Sequence, residues 1–418
     1  MQTRVARDVA DSAAAVQDSL YSWGRLLVCL LIGAVGNVGM WSVVVVLPTV
    51  QQDFGIPRNG ASFPYAMSMI GYAVGGYVMG RIADRFGIMI PILIGSFSLF
   101  TGFLLTSQVT SILQFAIVQG VLIGFLGSAA VFGPLMADIS MWFERRRGLA
   151  VAMVASGNYI SGTIWPPLVQ RMVDTIGWRE THVVIGVVVL LIMLPLAFLL
   201  NRRSPRHHQA GGANGNGLKP LPAPPGVMIG LLMLAGVSCC VAMSMPQAHI
   251  VAYCGDLGYG NQHGADMLAV LLGLGVVSRL VSGWVLDKVG GFPTLIVGSV
   301  LQAVALALYI PFDSLPALYL ISAFFGIVQG GIVPSYAIVI REHFPPAEAG
   351  AKFGLVLGST IAGMALGGWV SGAIFDMTGS YRAAFINGVA WNILNIVIVL
   401  WLMMRARARR TEPALAPA

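Results

Sequence analysis

The sequence predicts an all-α membrane protein whose twelve transmembrane helices form two pseudo-symmetric six-helix bundles. Three observations predict it: apolar runs recur through most of the 418 residues, the basic residues fall on one side of those runs, and a set of motifs repeats about 200 residues apart.

Hydrophobic residues make up 57% of the chain and charged ones 10%, with a mean hydropathy of +0.81; soluble domains carry roughly 25% charged residues. A hydrocarbon layer ~30 Å thick takes roughly 20 apolar residues per crossing. Runs of that kind place spans at 25–48, 60–80, 89–107, 111–137, 148–171, 180–200, 227–253, 265–286, 293–311, 315–340, 350–376 and 381–404. The net charge of +7 reports topology once its distribution is followed. With both termini inside, 19 of the 24 Lys and Arg lie on the cytoplasmic side, four (Arg58, Arg171, Arg179 and Arg382) outside, and one, Arg279, within a span. Such a positive-inside bias accounts for the charge and removes nucleic acid as a partner.

Residues 1–24 carry Asp8, Asp11 and Asp18 and lack the apolar core of a cleavable signal, so the first span is expected to direct insertion itself, in the plasma (inner) membrane. Cys29, Cys239, Cys240 and Cys254 lie in or beside apolar spans without metal-ligand spacing and read as packing residues. No metal or cofactor is expected; His207 and His208 lack acidic or cysteine partners.

The organisation follows as a cytoplasmic segment 1–24, a six-helix bundle 25–200, a linker 201–226, a second bundle 227–404 and a tail 405–418. The linker is polar and rich in Gly and Pro, a composition that cannot bury a core. Across it the halves repeat. Gly80-Arg-Ile-Ala-Asp84-Arg85-Phe-Gly87 returns 203 residues later as Gly283-Trp-Val-Leu-Asp287-Lys288-Val-Gly290, and Gly177-Trp178-Arg179 returns at the same offset as Ser380-Tyr381-Arg382. Val118-Gln119-Gly120 is echoed by Val328-Gln329-Gly330. A parallel repeat of this kind places its halves face to face around a central cavity.

The signature G-x-x-x-D-[RK]-x-G between the second and third spans resembles that of the major facilitator superfamily, over nearly the whole chain. Trp142-Phe-Glu-Arg-Arg-Arg-Gly-Leu-Ala150, Ala155-Ser-Gly157 and Gly177-Trp-Arg179 are similar to its monocarboxylate-porter and oxalate/formate-antiporter branch. The resemblance implies the major facilitator fold and a secondary transporter. It also implies that Gly80, Asp84, Arg85, Gly283, Asp287 and Lys288 are gate residues, with Asp138 as the acid that pairs with the basic residue of the loop. Physically, the two glycines allow a neighbouring helix close, and the acids can dock on a helix N-terminus.

Arg279 is the candidate that carries chemistry. Shifted back by 203 it falls on Gly76, so the helix scaffold does not require a charge there. An ionisable group within the apolar zone costs roughly 2.5–3.5 kcal/mol on insertion scales and faces a cavity or a partner. The spans offer no central Asp or Glu, and a guanidinium presents a planar fork matched to a carboxylate. The resemblance agrees, since its carboxylate carriers keep an arginine four residues before this glycine. Two departures bear on specificity: Gly275 stands where some carriers have an aspartate, and Gly358–Gly363 lacks the lysine of a dicarboxylate exchanger, with Lys352 at the cytoplasmic end. One intramembrane cation favours a singly charged anion.

Asn37, Trp41, Asn158, Tyr159, Ser335 and Tyr336 are polar or aromatic residues in apolar spans that can enclose a small acid; Gln119 and Gln329 match across the repeat and read as packing. His249, near the outer end of the seventh span, is the candidate for proton coupling because imidazole changes charge near neutral pH. Small-residue spacing in the first, second, fourth and eleventh spans and prolines at 134, 166, 167, 246 and 334 suit helices that slide and hinge. An enzyme would need a nucleophile-base pair or a metal site, and neither pattern is present in the sequence. The expectation is a monomeric carrier in a lipid bilayer moving a small organic anion, foremost a monocarboxylate, by proton symport or anion exchange; the rival is a proton-driven exporter of hydrophobic compounds.

Overall fold

The computed structural model describes residues 17–202 and 218–411, all helices, turns and connecting loops with no strand among them. Asp8, Asp11, His207, His208 and most of the linker lie outside the described residues, as does the side chain of Asp287. Ten helical segments among the described residues are long and apolar enough to cross a membrane. The chain divides into two compact units, Met1–Ile56 with Phe63–Ala210, and Pro57–Ser62 with Gly211–Ala418.

In unit 1, α1 (Leu20–Gly36) and α2 (Val38–Phe54) form one crossing interrupted at Asn37. Ser19 caps its start, accepting from the Ser22 N–H at 3.3 Å. Gly55 ends it with a left-handed φ of 60°, a conformation open to glycine. Helix α3 (Arg58–Phe86) begins in unit 2 and continues in unit 1 from Phe63. There follow α4 (Met89–Thr106), α5 (Ile112–Val118) running into a π-helical stretch Gln119–Gly127, then α6 (Gly133–Ile139) with Pro134 in its first turn. Helices α7 (Arg147–Ala155) and α8 (Gly157–Ile176) again form one broken segment, and α9 (Trp178–Leu199) packs on α4.

The π-helical stretch fits against α3 backbone to backbone. A Cβ on Gly124 would lie 2.6 Å from the Ser68 carbonyl oxygen, whereas one on Gly76, a turn or two along the same α3, would meet nothing within 4 Å. Gly124→Ala is therefore expected to cost about 1–3 kcal/mol of stability, as overpacking does, while Gly76→Ala leaves it unchanged or raises it. Thermal unfolding of the purified protein in detergent distinguishes the two.

Unit 2 runs α10 (Pro225–Asp256), α11 (Asn261–Val289), α12 (Gly291–Leu308), α13 (Leu315–Gln329), α14 (Ile332–His343), α15 (Pro346–Thr378) and α16 (Tyr381–Thr411). Helix α10 packs along both α15 and α16, and α11 along α13. Interhelical polar bonds tie this unit together: Asn392 Nδ2 donates to the Ser299 carbonyl and Asn395 Nδ2 to Ser299 Oγ, each at 2.8 Å. All four cysteines are buried.

The first crossing is longer than 25–48, because Leu20–Phe54 is helical on both sides of Asn37. The Asn37 amide explains the continuity: its Nδ2 reaches back to the Gly33 carbonyl at 2.7 Å, keeping the turn wound where the backbone hydrogen bonding shifts.

Candidate functional site

Arg279 sits on α11 where that helix crosses the break between α13 and α14. The break falls at Gly330 and Gly331. Their lack of side chains lets α11 approach: a Cβ on Gly330 would lie 2.6 Å from the Arg279 amide nitrogen and 2.8 Å from the Gly275 carbonyl oxygen. Ser278 Oγ accepts from the Gly330 N–H at 3.1 Å, and Ser282 Oγ donates to the Arg279 carbonyl at 3.1 Å. The backbone bearing Arg279 is thereby fixed on both sides, and its side chain is half-buried. A site residue carried on rigid elements holds its geometry better than one on a loop. At the repeat-related position in unit 1, Gly76 leaves open space, so the side chain at 279 is an addition to the scaffold.

The remaining candidates separate into two groups. In unit 1 the structure brings Trp41 and Asn158 together, the indole N–H donating to the Asn158 carbonyl at 3.1 Å and to its Oδ1 at 3.2 Å. Tyr159, beside Asn158, is buried at 6% exposure. Asn37 is fully buried and its amide donor is committed to Gly33. In unit 2, Ser335 and Tyr336 are fully buried: Ser335 Oγ donates to the Gly331 carbonyl one turn back at 2.7 Å, and the Tyr336 hydroxyl to Asn395 Oδ1 on α16 at 3.0 Å. The Tyr336 hydroxyl is thereby committed to a neighbouring helix of its own unit, whereas the Ser335 bond is internal to α14. Gln119 donates to the Gly39 carbonyl and Gln247 to Gln329, each at 2.7 Å.

The gate motif is corrected at two points. A Cβ on Gly80 or on Gly283 would meet nothing within 4 Å, so neither glycine serves a close helix contact. Asp138 is held by Arg25, with Nε to Oδ2 at 2.8 Å and the second guanidinium nitrogen to Oδ1 at 3.0 Å. The same nitrogen reaches the Leu200 carbonyl at 3.5 Å, and the guanidinium lies 4.6 Å from the Trp142 ring centroid. Arg85 stays at the exposed surface over Phe86. The physical reason is burial: a carboxylate enclosed on α6 takes the guanidinium enclosed beside it on α1. Asp84 and Lys288 are exposed, Lys288 lying 3.9 Å from the Trp284 ring centroid. Lys352 pairs with Glu348 one turn back.

His249 is fully buried in unit 2, bonded through Nε2 to the Gly368 carbonyl at 2.7 Å and through Nδ1 to the Tyr381 hydroxyl at 2.9 Å. A carbonyl only accepts, so Nε2 carries the proton and Nδ1 accepts from the tyrosine. Tyr381 in turn accepts from Arg58 at 3.1 Å, and Arg58 pairs with Asp256 at 2.9 Å. Sequence reasoning placed Arg58 among the outer-edge charges and assigned no role to Asp256, Asp376 or Tyr381. The one signal was the repeat at Gly177-Trp-Arg179 and Ser380-Tyr-Arg382.

The family model of the Major Facilitator Superfamily matches residues 29–315 and 275–418. The chain belongs to that superfamily and is an integral membrane protein of a transporter family. Monocarboxylate transporter 13 of Bos taurus is 28% identical over 395 residues, covering 87% of this chain and 90% of the relative. An MFS-type transporter of Penicillium oxalicum is 28% identical over 320 residues, covering 76% and 74%. Among solved structures, a bacterial homolog of the human lysosomal transporter Spinster, inward-facing and unoccupied, superposes with a TM-score of 0.71 at 14% identity, covering 96% of this chain and 100% of that one. The shared architecture is therefore the fold of the superfamily.

Proposed function

We propose that this protein is a secondary active transporter that moves a small organic anion, foremost a monocarboxylate, by alternating access, coupled to proton symport or to exchange of one anion for another. The observation that carries the reading is Arg279: a guanidinium added to a rigid helix crossing at a position whose repeat counterpart is glycine. A guanidinium suits a carboxylate by permanent charge and by shape; Arg25, the buried guanidinium of the first crossing, is already held by Asp138. The likeness to two monocarboxylate transporters, at 28% and 26% identity over most of the chain, supports it. In this reading Arg58–Phe86 and the broken helix Arg147–Ile176 join the ten apolar spans to make twelve crossings, in two six-helix bundles with both termini in the cytoplasm.

A second reading, export of larger hydrophobic compounds, is supported by a relative from Paecilomyces divaricatus named as an agnestins efflux protein, 23% identical over 327 residues. A panel separates the two. The purified protein is reconstituted in liposomes and offered labelled monocarboxylates, dicarboxylates and uncharged apolar compounds. The proposal expects uptake of one or more monocarboxylates above empty liposomes; transport restricted to uncharged compounds rejects it.

A further inference from the structure

The first turn of α3 belongs to unit 2 and is gripped there by two carboxylates. Asp376 on α15 accepts the backbone N–H of Arg58 on one oxygen and that of Asn59 on the other, each at 2.8 Å. A carboxylate at a helix N-terminus is well placed, since it meets the positive end of the helix dipole. Asp256, the last residue of α10, takes one terminal guanidinium nitrogen of Arg58 on both its oxygens, at 2.9 and 3.0 Å. The ring of Phe375 lies 4.7 Å from the guanidinium, and Gly372 makes room for the turn, a Cβ there falling 3.0 Å from the Asn59 Cα. The grip is incomplete in one respect: Arg58 Nε is buried without a hydrogen-bond partner. A buried donor left unsatisfied marks a pairing that gives up something to exist.

The internal repeat supplies Asp256 with a second cation. Asp53 and Asp256 are 203 residues apart, as are Arg179 and Arg382. In unit 1 the pair is made, Arg179 to Asp53 at 2.7 Å. In unit 2 it is not: Arg382 reaches Asp313 at 3.4 Å, at the exposed surface, and Asp256 is taken by Arg58. The counterpart of Arg58 at the same offset is Asn261, so the Arg58 pairing has no equivalent in the repeat.

From these observations we propose that Asp256 is held in turn by Arg58 and by Arg382, and that a proton arriving at His249 drives the exchange by dislodging Arg58 through Tyr381. The inference rests on the reading of the chain as a carrier and is independent of what it carries. A motion that takes α3 along with unit 1 has to break the grip on its first turn; transfer of Asp256 to Arg382 gives that carboxylate a new partner, at the expense of the exposed Arg382–Asp313 pair. Tyr381 on α16, Arg58 on α3 and Asp376 on α15 act on His249 directly; beyond them Tyr253 on its own helix meets Tyr381 edge-on, Asp256 pairs with Arg58, and Arg382 with Asp313. The hydrogen-bond direction runs from Arg58 to Tyr381, from Tyr381 to Nδ1, and from Nε2 to the Gly368 carbonyl. A proton added at Nδ1 turns that acceptor into a donor, so the tyrosine oxygen receives two donors and its own O–H must turn away. The guanidinium then faces a second cation across one hydroxyl.

Ser62 reports the state of the grip. It is fully buried beside Gly372, its hydroxyl bonded to the Asn59 carbonyl at 3.1 Å, and the native cysteines are buried. The full-length S62C protein in liposomes is labelled with a membrane-impermeant maleimide, in the absence of any transported compound, with labelling rates referred to a free thiol at each pH. Labelling is expected to be slow near neutral pH and about tenfold faster under acid, a modest shift in a two-state population. Added H249Q, which keeps a neutral hydrogen-bonding side chain, is expected to remove the acid response, and added R58Q to give fast labelling at every pH. R382Q, which denies Asp256 its second partner, is expected to slow the acid response. An acid response that persists in H249Q, or equal labelling of the R58Q and parent proteins, overturns the proposal; should H249Q fail to purify as a folded monodisperse protein, H249N is read in its place. Because no substrate is present, these outcomes stand apart from failure of the anion reading, which shows in uptake alone.

Discussion

Arg279→Lys is expected to lower carboxylate uptake roughly tenfold to a hundredfold, because replacing the guanidinium by a point charge forfeits one charge-assisted hydrogen bond, worth about 1.5–3 kcal/mol. Arg279→Gln, which removes the charge as well, is expected to reduce uptake further. Because the repeat-related helix folds with glycine at this position, both variants are expected to remain folded, with a melting transition near the parent's. The repeat supports that separation: position 76 carries no side chain at all in the same helical context. Uptake kinetics and a detergent melting curve on each variant, measured together, test both halves of the prediction. Normal transport by Arg279→Lys would mean that the fork geometry is not used.

Asp138→Asn is expected to be the most destabilising single polar substitution in unit 1. The Arg25 side chain is 1% exposed and that of Asp138 6%, so removing the negative charge leaves a guanidinium enclosed among Trp142, Leu200 and α6. Breaking one partner of a buried pair costs about 3–5 kcal/mol, whereas replacing both by apolar residues of similar volume is often neutral or stabilising. The double variant Arg25→Met with Asp138→Leu should therefore melt close to the parent while either single change melts well below it. The pair is structural on this account, and the double variant tests that directly: restored stability with lost transport would assign it a part in the conformational cycle.

The recurrence of apolar membrane helices and the family were legible because each is a pattern within one stretch of chain or between two. Hydropathy reports burial in lipid, and an offset of 203 needs no coordinates to be seen. What failed to read through was pairing over long separations and the facing of single polar residues. Asp138 went to Arg25, 113 residues away, because both are buried at one helix crossing; a motif analogy pointed to Arg85, which lies in the last turn of α3 and stays exposed. Arg58 reads in the sequence as an edge charge, yet its partners lie 198 and 323 residues along the chain. Ser335 and Tyr336 were chosen as polar residues in an apolar span, and such a residue serves a binding site or a neighbouring helix according to which face it takes. Here the Tyr336 hydroxyl bonds to Asn395 on a neighbouring helix, and the Ser335 hydroxyl to Gly331 at the start of its own. Gly80 and Gly283, read as close-contact glycines, adjoin open space, since small-residue spacing shows where helices can meet and not whether they do. The reading of Gln119 as a packing residue agrees with its bond to Gly39.

The account turns on whether one guanidinium receives the transported anion. Equilibrium binding of a labelled monocarboxylate, selected by the uptake panel, to the purified protein and to its Arg279→Ala variant tests that most directly, with equal melting temperatures as the control for folding. Saturable binding by the parent and its loss in the variant is the predicted result. Binding of the same strength by both proteins would contradict it.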